Sequence, residues 1–359
     1  MPIVLKAIVK RCVPLIVAMF AAGLCSCASE ERPSEVFREL AVSQKLCRMC
    51  DLRYVDLSKL DLSGGNYSGS YLFGANLSWS ILDRGNFEAA TMDFSRMEWS
   101  SLDGADFRNA YLEDASLFRA TFHNANMKMV NLSRANLTNS DLRGADLSTA
   151  TLEEAILSSA ELSNTNFRNA NLRRAKLAGA QLANTNFQDA VMYGANLQDA
   201  SLMGAIFINS LLKGASFTAA MISHTNFRNA DLRMVDFRGA VLDVVNLQSA
   251  DLRRANFTGA RMKNVILRGA QLCGAIMADG SIGACAKPED AWNEPSAPLL
   301  AAPQVNVVPI SPTDQSSQPP SGFSQPLSSP NGGSLPITPG LYREAPGFDA
   351  KQNPEGTAL

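Results

Sequence analysis

The sequence predicts an all-β fold: a quadrilateral parallel β-helix of about twelve coils of about 20 residues, with a short N-terminal capping helix before it and a disordered Pro-rich tail after it. Three observations carry this. A bulky apolar residue occupies every fifth position from Leu52 to Ile282, 47 in succession: 28 Leu, 10 Phe, 6 Met, 2 Ile and Tyr67. The residue two places before each is almost always small, Ala in 28 of the 47 cases. Six of the ten central Phe residues fall in one 20-residue column, at 87, 107, 167, 187, 207 and 227.

The coil follows from the spacing. An α-helix advances about 100° per residue, so a five-residue stripe would wind round every face. In a strand, an odd spacing sends successive side chains to opposite faces. A single core needs a turn once per five residues. Four right-angled sides then bring the chain back above itself after 20 residues, with strand-like segments stacked about 4.8 Å apart. A three-sided coil would scatter the Phe column. Size compensation supports the four-sided one: Gly65 and Gly85 precede Tyr67 and Phe87, whereas Val245 and Val265 precede Leu247 and Leu267. Small partners sit with large ones, as dense packing demands. Turn-forming Ser, Thr, Asn, Asp and Gly at the outward positions fit a corner every five residues. Between 34 and 287 there is no Pro to remove a coil-to-coil hydrogen bond.

The open end of a β-helix needs a cap. Residues 34–46 carry Val36, Phe37, Leu40, Ala41 and Leu46 at helical spacing behind Ser34, a suitable N-cap. A short amphipathic helix over the first coil is expected. At the other end, the segment 283–292 with Trp292 is expected to close the last coil.

Both chain ends differ from the middle. Lys6, Lys10 and Arg11 precede an apolar run over 12–24, then Leu24-Cys25-Ser26-Cys27. This resembles the lipobox of bacterial lipoproteins, with Ser26 as the small residue before cleavage and Cys27 as the lipidated mature terminus; Cys25 at the second position before cleavage departs from the usual pattern. An ordinary cleaved leader is the alternative. The resemblance implies a lipid-anchored protein held in a bacterial membrane, the outer one favoured because Ala28 follows Cys27. Residues 288–359 hold 14 of the 17 prolines, and such a segment buries too little apolar surface to offset its ordering entropy. A solubilising spacer is preferred there over a docking tail. The expected organisation is therefore 1–26 leader, 27–49 tether and cap, 50–284 β-helix and 285–359 tail.

The run of Ala-Asp-Phe (105–107), Ala-Asn-Leu (135–137) and Ala-Asp-Leu (145–147) units resembles the pentapeptide-repeat family, over about two thirds of the chain without interruption. The resemblance implies a right-handed coil. It also implies an alternative function, since some members mimic the shape and charge of DNA and protect type II topoisomerases. Those members are cytoplasmic and strongly acidic, unlike this chain.

Cysteines, histidines and charge complete the reading. Cys47 and Cys50 form a C-x-x-C; metal, redox and structural readings compete. The other pair, Cys273 and Cys285, lies far along the rod, so one chain cannot assemble a four-cysteine zinc site. Disulfides Cys47–Cys50 and Cys273–Cys285, stapling the ends, are the preferred reading for an oxidising compartment. His123 and His224, 101 positions apart, share no site and are expected on a solvated surface. No nucleophile elbow, P-loop or zinc motif appears, so no enzyme, cofactor or metal is expected.

Net charge is only −2, which excludes a bulk basic field for nucleic acid. The charge is uneven: 51–161 holds 16 acidic and 9 basic residues, and 162–283 holds 7 and 13. One outward column ends in Arg173, Tyr193, Lys213, Arg233 and Arg253, with Arg174 and Arg254 beside it. That stripe is the candidate surface for an anionic partner, either an envelope polymer or an acidic protein. The function expected is a membrane-anchored, non-enzymatic scaffold or binding rod in the cell envelope.

Replacing Leu142 tests the register. Leu142→Asp puts an unpaired charge where a buried Leu contributes about 1.5–3 kcal/mol. The expected outcome is a split thermal transition by circular dichroism and protease cleavage in mid-rod; one unchanged cooperative melt contradicts the register.

Overall fold

The computed structural model describes residues 33–285. The leader over 1–26, Cys27 and the tail from 286 onward lie outside the described residues, as does Trp292.

One pentapeptide explains the rest. In 141–145 the Asp141 N–H donates to Ala120 of the coil before (3.0 Å), and the Leu142 and Gly144 N–H groups donate to Glu161 and Ser163 of the coil after (2.8 and 3.1 Å). The Ala145 N–H closes a turn onto the Leu142 carbonyl at 3.0 Å. The Arg143 N–H finds the Asp141 Oδ1 at 3.2 Å. All five donors are thus paired, four by backbone and one by the carboxylate that precedes the central residue, as buried or half-buried amides require. This is why Asp and Asn recur at that position: the same bond joins Ser148 to Asp146 and Gln188 to Asn186, both at 3.0 Å.

Repetition of this unit builds a right-handed four-sided parallel β-helix. Parallel bridges at an offset of 20 run from Leu46↔Asn66 to Asn256↔Ile276. On one side they lengthen into three-residue strands, β1 (Ser201–Met203), β2 (Met221–Ser223), β3 (Val241–Asp243) and β4 (Arg261–Lys263), in the order β1-β2-β3-β4 with Ser201 opposite Met221 and Met221 opposite Val241.

Every central residue from Leu52 to Phe257 is no more than 1% exposed, which fixes the register over that span. The aromatic column stacks from coil to coil. Phe167, Phe187, Phe207 and Phe227 lie 5.1, 4.8 and 4.7 Å apart between centroids. A second ladder, Phe217, Phe237 and Phe257, meets the first edge-on, at 5.7 Å between Phe217 and Phe227. Gly65 and Gly85 have to be glycine, because a Cβ there would overlap the Tyr67 and Phe87 rings. Hydroxyls in the small inward slot are mostly paired: Thr165 and Thr185 donate to the Leu142 and Leu162 carbonyls, each at 2.8 Å, whereas the buried Ser95 Oγ has no hydrogen-bond partner among the described residues.

The corner residue two places after each central one from Leu52 to Leu272 has a positive φ. Glycine and asparagine suit it, as at Gly204 (72°) and Asn209 (58°).

Helix α1 spans Pro33–Ser43. It places Leu40 and Ala41 over the first coil, and the Tyr67 hydroxyl donates to the Ala41 carbonyl at 3.2 Å. The expected span of 34–46 needs correcting at both ends. Proline suits the first helical turn, where its missing N–H is no loss. Leu46 is 61% exposed and opens the bridge ladder, so the coils begin before residue 50. The other boundary also moves. The register stops at Met277, the chain turns back at Gly280 (φ 83°), and Ile282 pairs antiparallel with Ile276 and is 74% exposed. Ile282 is therefore not a core residue. Met262, Leu267 and Leu272, with no full coil beyond them, are only partly buried.

Val244 is β-branched at a corner with φ 55°, a conformation that costs such a residue about 1–2 kcal/mol. Val244→Asn is expected to raise the unfolding free energy by about 1 kcal/mol, read as a higher midpoint in chemical unfolding; a lower midpoint would contradict the strain.

Candidate functional site

The basic column lies on one face with the column two residues before it. The Arg233 guanidinium donates to Asp231 (2.6 Å) and approaches Asp251 (3.6 Å), and Arg253 donates to Asp251 at 2.6 Å. These contacts hold both carboxyls below the usual carboxylate range, chiefly through the arginine hydrogen bonds, and hold Arg233 firmly charged. Arg174 bridges Glu153 (3.2 Å) and Glu154 (2.8 Å). Arg173 donates to Asn171 and lies 5.6 Å from the Tyr193 ring centroid. The six cations of the stripe are therefore not six free charges. Lys213 and Arg254 alone among them pair with no side chain among the described residues. Shallow hollows sit at the same place, lined by Tyr193, Lys213, Arg233 and Met234 and, beyond them, Arg253, Arg254 and Cys273.

The same face is acidic and aromatic nearer the N-terminus. Arg134 is shared by Glu113 and Asp114, the latter at 2.7 Å. Asp93 accepts the Glu113 N–H at 2.8 Å; burial, with the Glu113 charge added, holds its carboxyl above the usual range. Phe73 touches Tyr54 (5.5 Å) and Phe94 (5.3 Å). Round the next corner Trp79 stacks on Trp99 at 5.0 Å, and the Arg119 guanidinium lies 4.5 Å from the Trp99 centroid. Tyr54, Trp79, Phe94 and Trp99 are all exposed and all sit at corners with φ near 60°. The sequence reading missed this cluster. Its signal was large aromatics where the repeat elsewhere places Asn, Asp, Ser or Gly.

The cysteines stand at the two ends. Cys47 and Cys50 are disulfide-bonded across a Cα separation of 5.3 Å, inside the first coil where Cys47 fills a central slot. Cys273 and Cys285 are bonded across 4.2 Å and tie the turned-back terminus to the last coil. Among the described residues no group of three or more His, Cys, Asp or Glu could hold a metal, and no helix is long and apolar enough to cross a membrane.

His123 is not simply solvated. Its Nδ1 and Nε2 lie 2.8 Å from Asp103 and from Asp141, and Arg143 stands 3.0 Å from Nε2. The Asp103 hydrogen bond, with Asp141 adding to it, raises the imidazole pKa against the effect of burial.

The described residues form a repeat protein by class, each coil stacked on its neighbours with shallow hollows along one charged face. The family model for pentapeptide repeats matches eight times between residues 50 and 278, over stretches from 50–88 to 240–278. The chain belongs to the pentapeptide-repeat family. Nothing matched among curated proteins. Among solved structures, it is similar to HetL, a pentapeptide repeat protein involved in heterocyst differentiation regulation in the cyanobacterium Nostoc sp. strain PCC 7120: 29% identity over 70% of this chain and 100% of that one, TM-score 0.29. It is similar to QnrB1, a plasmid-mediated fluoroquinolone resistance protein, with 21% identity over 51% and 91% and a TM-score of 0.36. A pentapeptide repeat protein of the Arabidopsis thaliana thylakoid lumen shares 30% identity over 30% and 69%, TM-score 0.19.

The His123 bridge gives a pH dependence with a definite sign. Its folded pKa is above the unfolded value of about 6.5, so its stabilisation is complete below that value and disappears as pH rises through the folded pKa. From pH 6 to pH 9 the melting temperature of the wild type should fall more than that of His123→Gln; equal slopes would contradict the bridge.

Proposed function

We propose that this chain is a non-enzymatic interaction rod of the cell envelope. In this reading lipid on Cys27 holds it at a membrane, and the face around Lys213 and Arg254 receives an anionic partner. The observation that carries the binding half is the coincidence of unpaired cations with the hollows beside them. Arg233 and Arg253, already fixed by Asp231 and Asp251, stand ready without further loss of side-chain entropy. The anchoring half rests on the lipobox-like Leu24-Cys25-Ser26-Cys27. The basic half of the rod disfavours DNA mimicry as its role, since a DNA mimic presents acidic charge along its length.

Full-length protein, expressed in a bacterium with labelled palmitate and extracted in detergent, tests both halves using labelled poly-L-glutamate as the probe. Wild type should take up label and bind poly-L-glutamate. Cys27→Ser should lose the label and keep binding. Lys213→Glu with Arg254→Glu should keep the label and weaken binding about tenfold or more. No acyl label on the wild type removes the anchor; binding unchanged by the charge reversals removes the face.

A further inference from the structure

We propose that the anionic partner of this face is a second copy of the same chain, laid antiparallel against it. This rests on the reading of the face as an anion-binding surface and gives that surface an occupant. Two rods set face to face about a two-fold axis that crosses them at right angles reverse the order of coils and leave each outward column opposite itself. The sign of the main column changes between Glu153 and Arg173. An axis placed there fixes the whole register.

The pairs that result are complementary. In the main column Glu153 meets Arg173, Glu113 meets Lys213 and Asp93 meets Arg233. Phe73 meets Arg253, a guanidinium against an aromatic ring. In the column two residues earlier, which the Arg233–Asp231 contact puts on the same face, exposed Tyr111 meets Leu211. Beside the hollow, exposed Phe94 meets exposed Met234. Each pair occurs twice in the dimer. A parallel pairing would instead set basic half against basic half.

The unsatisfied groups point the same way. Lys213 has no side-chain partner among the described residues, and the pairing brings it the Glu113 carboxylate. Asp93 stands among carboxylates, and the pairing brings it a guanidinium. The area is sufficient. The face extends about 50 Å at 4.8 Å per coil, and a width of about 10 Å gives roughly 1,000 Å² buried in total, the size of a weak, transient interface. The expected complex is reversible and salt-sensitive.

Two differently tagged full-length copies, co-expressed, detergent-extracted and pulled down through one tag, test this. An acid-reversed chain carries Glu113→Lys and Glu153→Lys; a base-reversed chain carries Arg173→Glu and Lys213→Glu. Circular dichroism confirms that both fold. Wild type should recover wild type. Each reversed chain should recover its own kind about tenfold less, because like charges now face each other. The acid-reversed chain should recover the base-reversed chain as well as wild type recovers itself, because every altered pair is again opposite in sign. Reversed chains that recover their own kind at the wild-type level overturn the proposal, as does a mixed pair that fails to recover. Wild-type copies that do not co-purify, while poly-L-glutamate still binds, overturn self-pairing and leave the anion-binding face standing.

Discussion

The coil-to-coil hydrogen bond at an offset of 20 residues is the constraint on which the rest depends. A pentapeptide such as 141–145 sends one N–H back and two N–H groups forward, and its turn and its Asp satisfy the other two. Nothing in this scheme uses the central side chain. That side chain is free to fill the core, where stacked Phe ladders and small inward residues pack at the coil spacing. Because each coil touches only its neighbours, stability accumulates coil by coil. The ends are where the scheme runs out, and helix α1, the turned-back segment after Met277 and two disulfides stand there.

The same constraint separates fold from function. Residues 20 apart are stacked in a column, so a chemical preference repeated every 20 residues becomes a stripe, and two stripes two residues apart become a face. The Arg233–Asp231 and Arg253–Asp251 pairs illustrate the geometry. Their side chains meet because the central residue between them points inward. A binding surface can thus be written in the outward positions with little cost to the core. Large aromatics at positive-φ corners are the exception: Trp79, Phe94 and Trp99 carry backbone strain and exposed apolar area together. Natural folds keep such features where they act.

The core was legible in the sequence because the five-residue period never slips between Leu52 and Phe257, and both its inward columns are chemically uniform. Boundaries were less so, for a physical reason. Leu46 is apolar at a helical spacing, yet it serves the first bridge of the coil. Ile282 has the right residue type at the right number, yet Asp279-Gly280 reverses the chain before it. The stripe was visible as charges but not as pairs. The Asp-Leu-Arg triplets at 51–53, 231–233 and 251–253 were the missed signal, each an outward acid and base flanking an inward Leu. The contacts of His123 are hidden in the same way, since Asp103 is its neighbour only through the 20-residue column.

The inward columns make the rod, and the outward charged face is where we propose that partners bind. Replacing Asp93, Glu113, Glu153, Arg173, Lys213, Arg233, Arg253 and Arg254 together by Ser or Asn leaves every inward residue in place. Melting by circular dichroism, with binding of poly-L-glutamate and recovery of a second copy measured on the same sample, tests it directly. The expected outcome is a rod that melts within a few degrees of wild type and binds neither. A chain that no longer folds, or one that folds and still binds as wild type does, would contradict it.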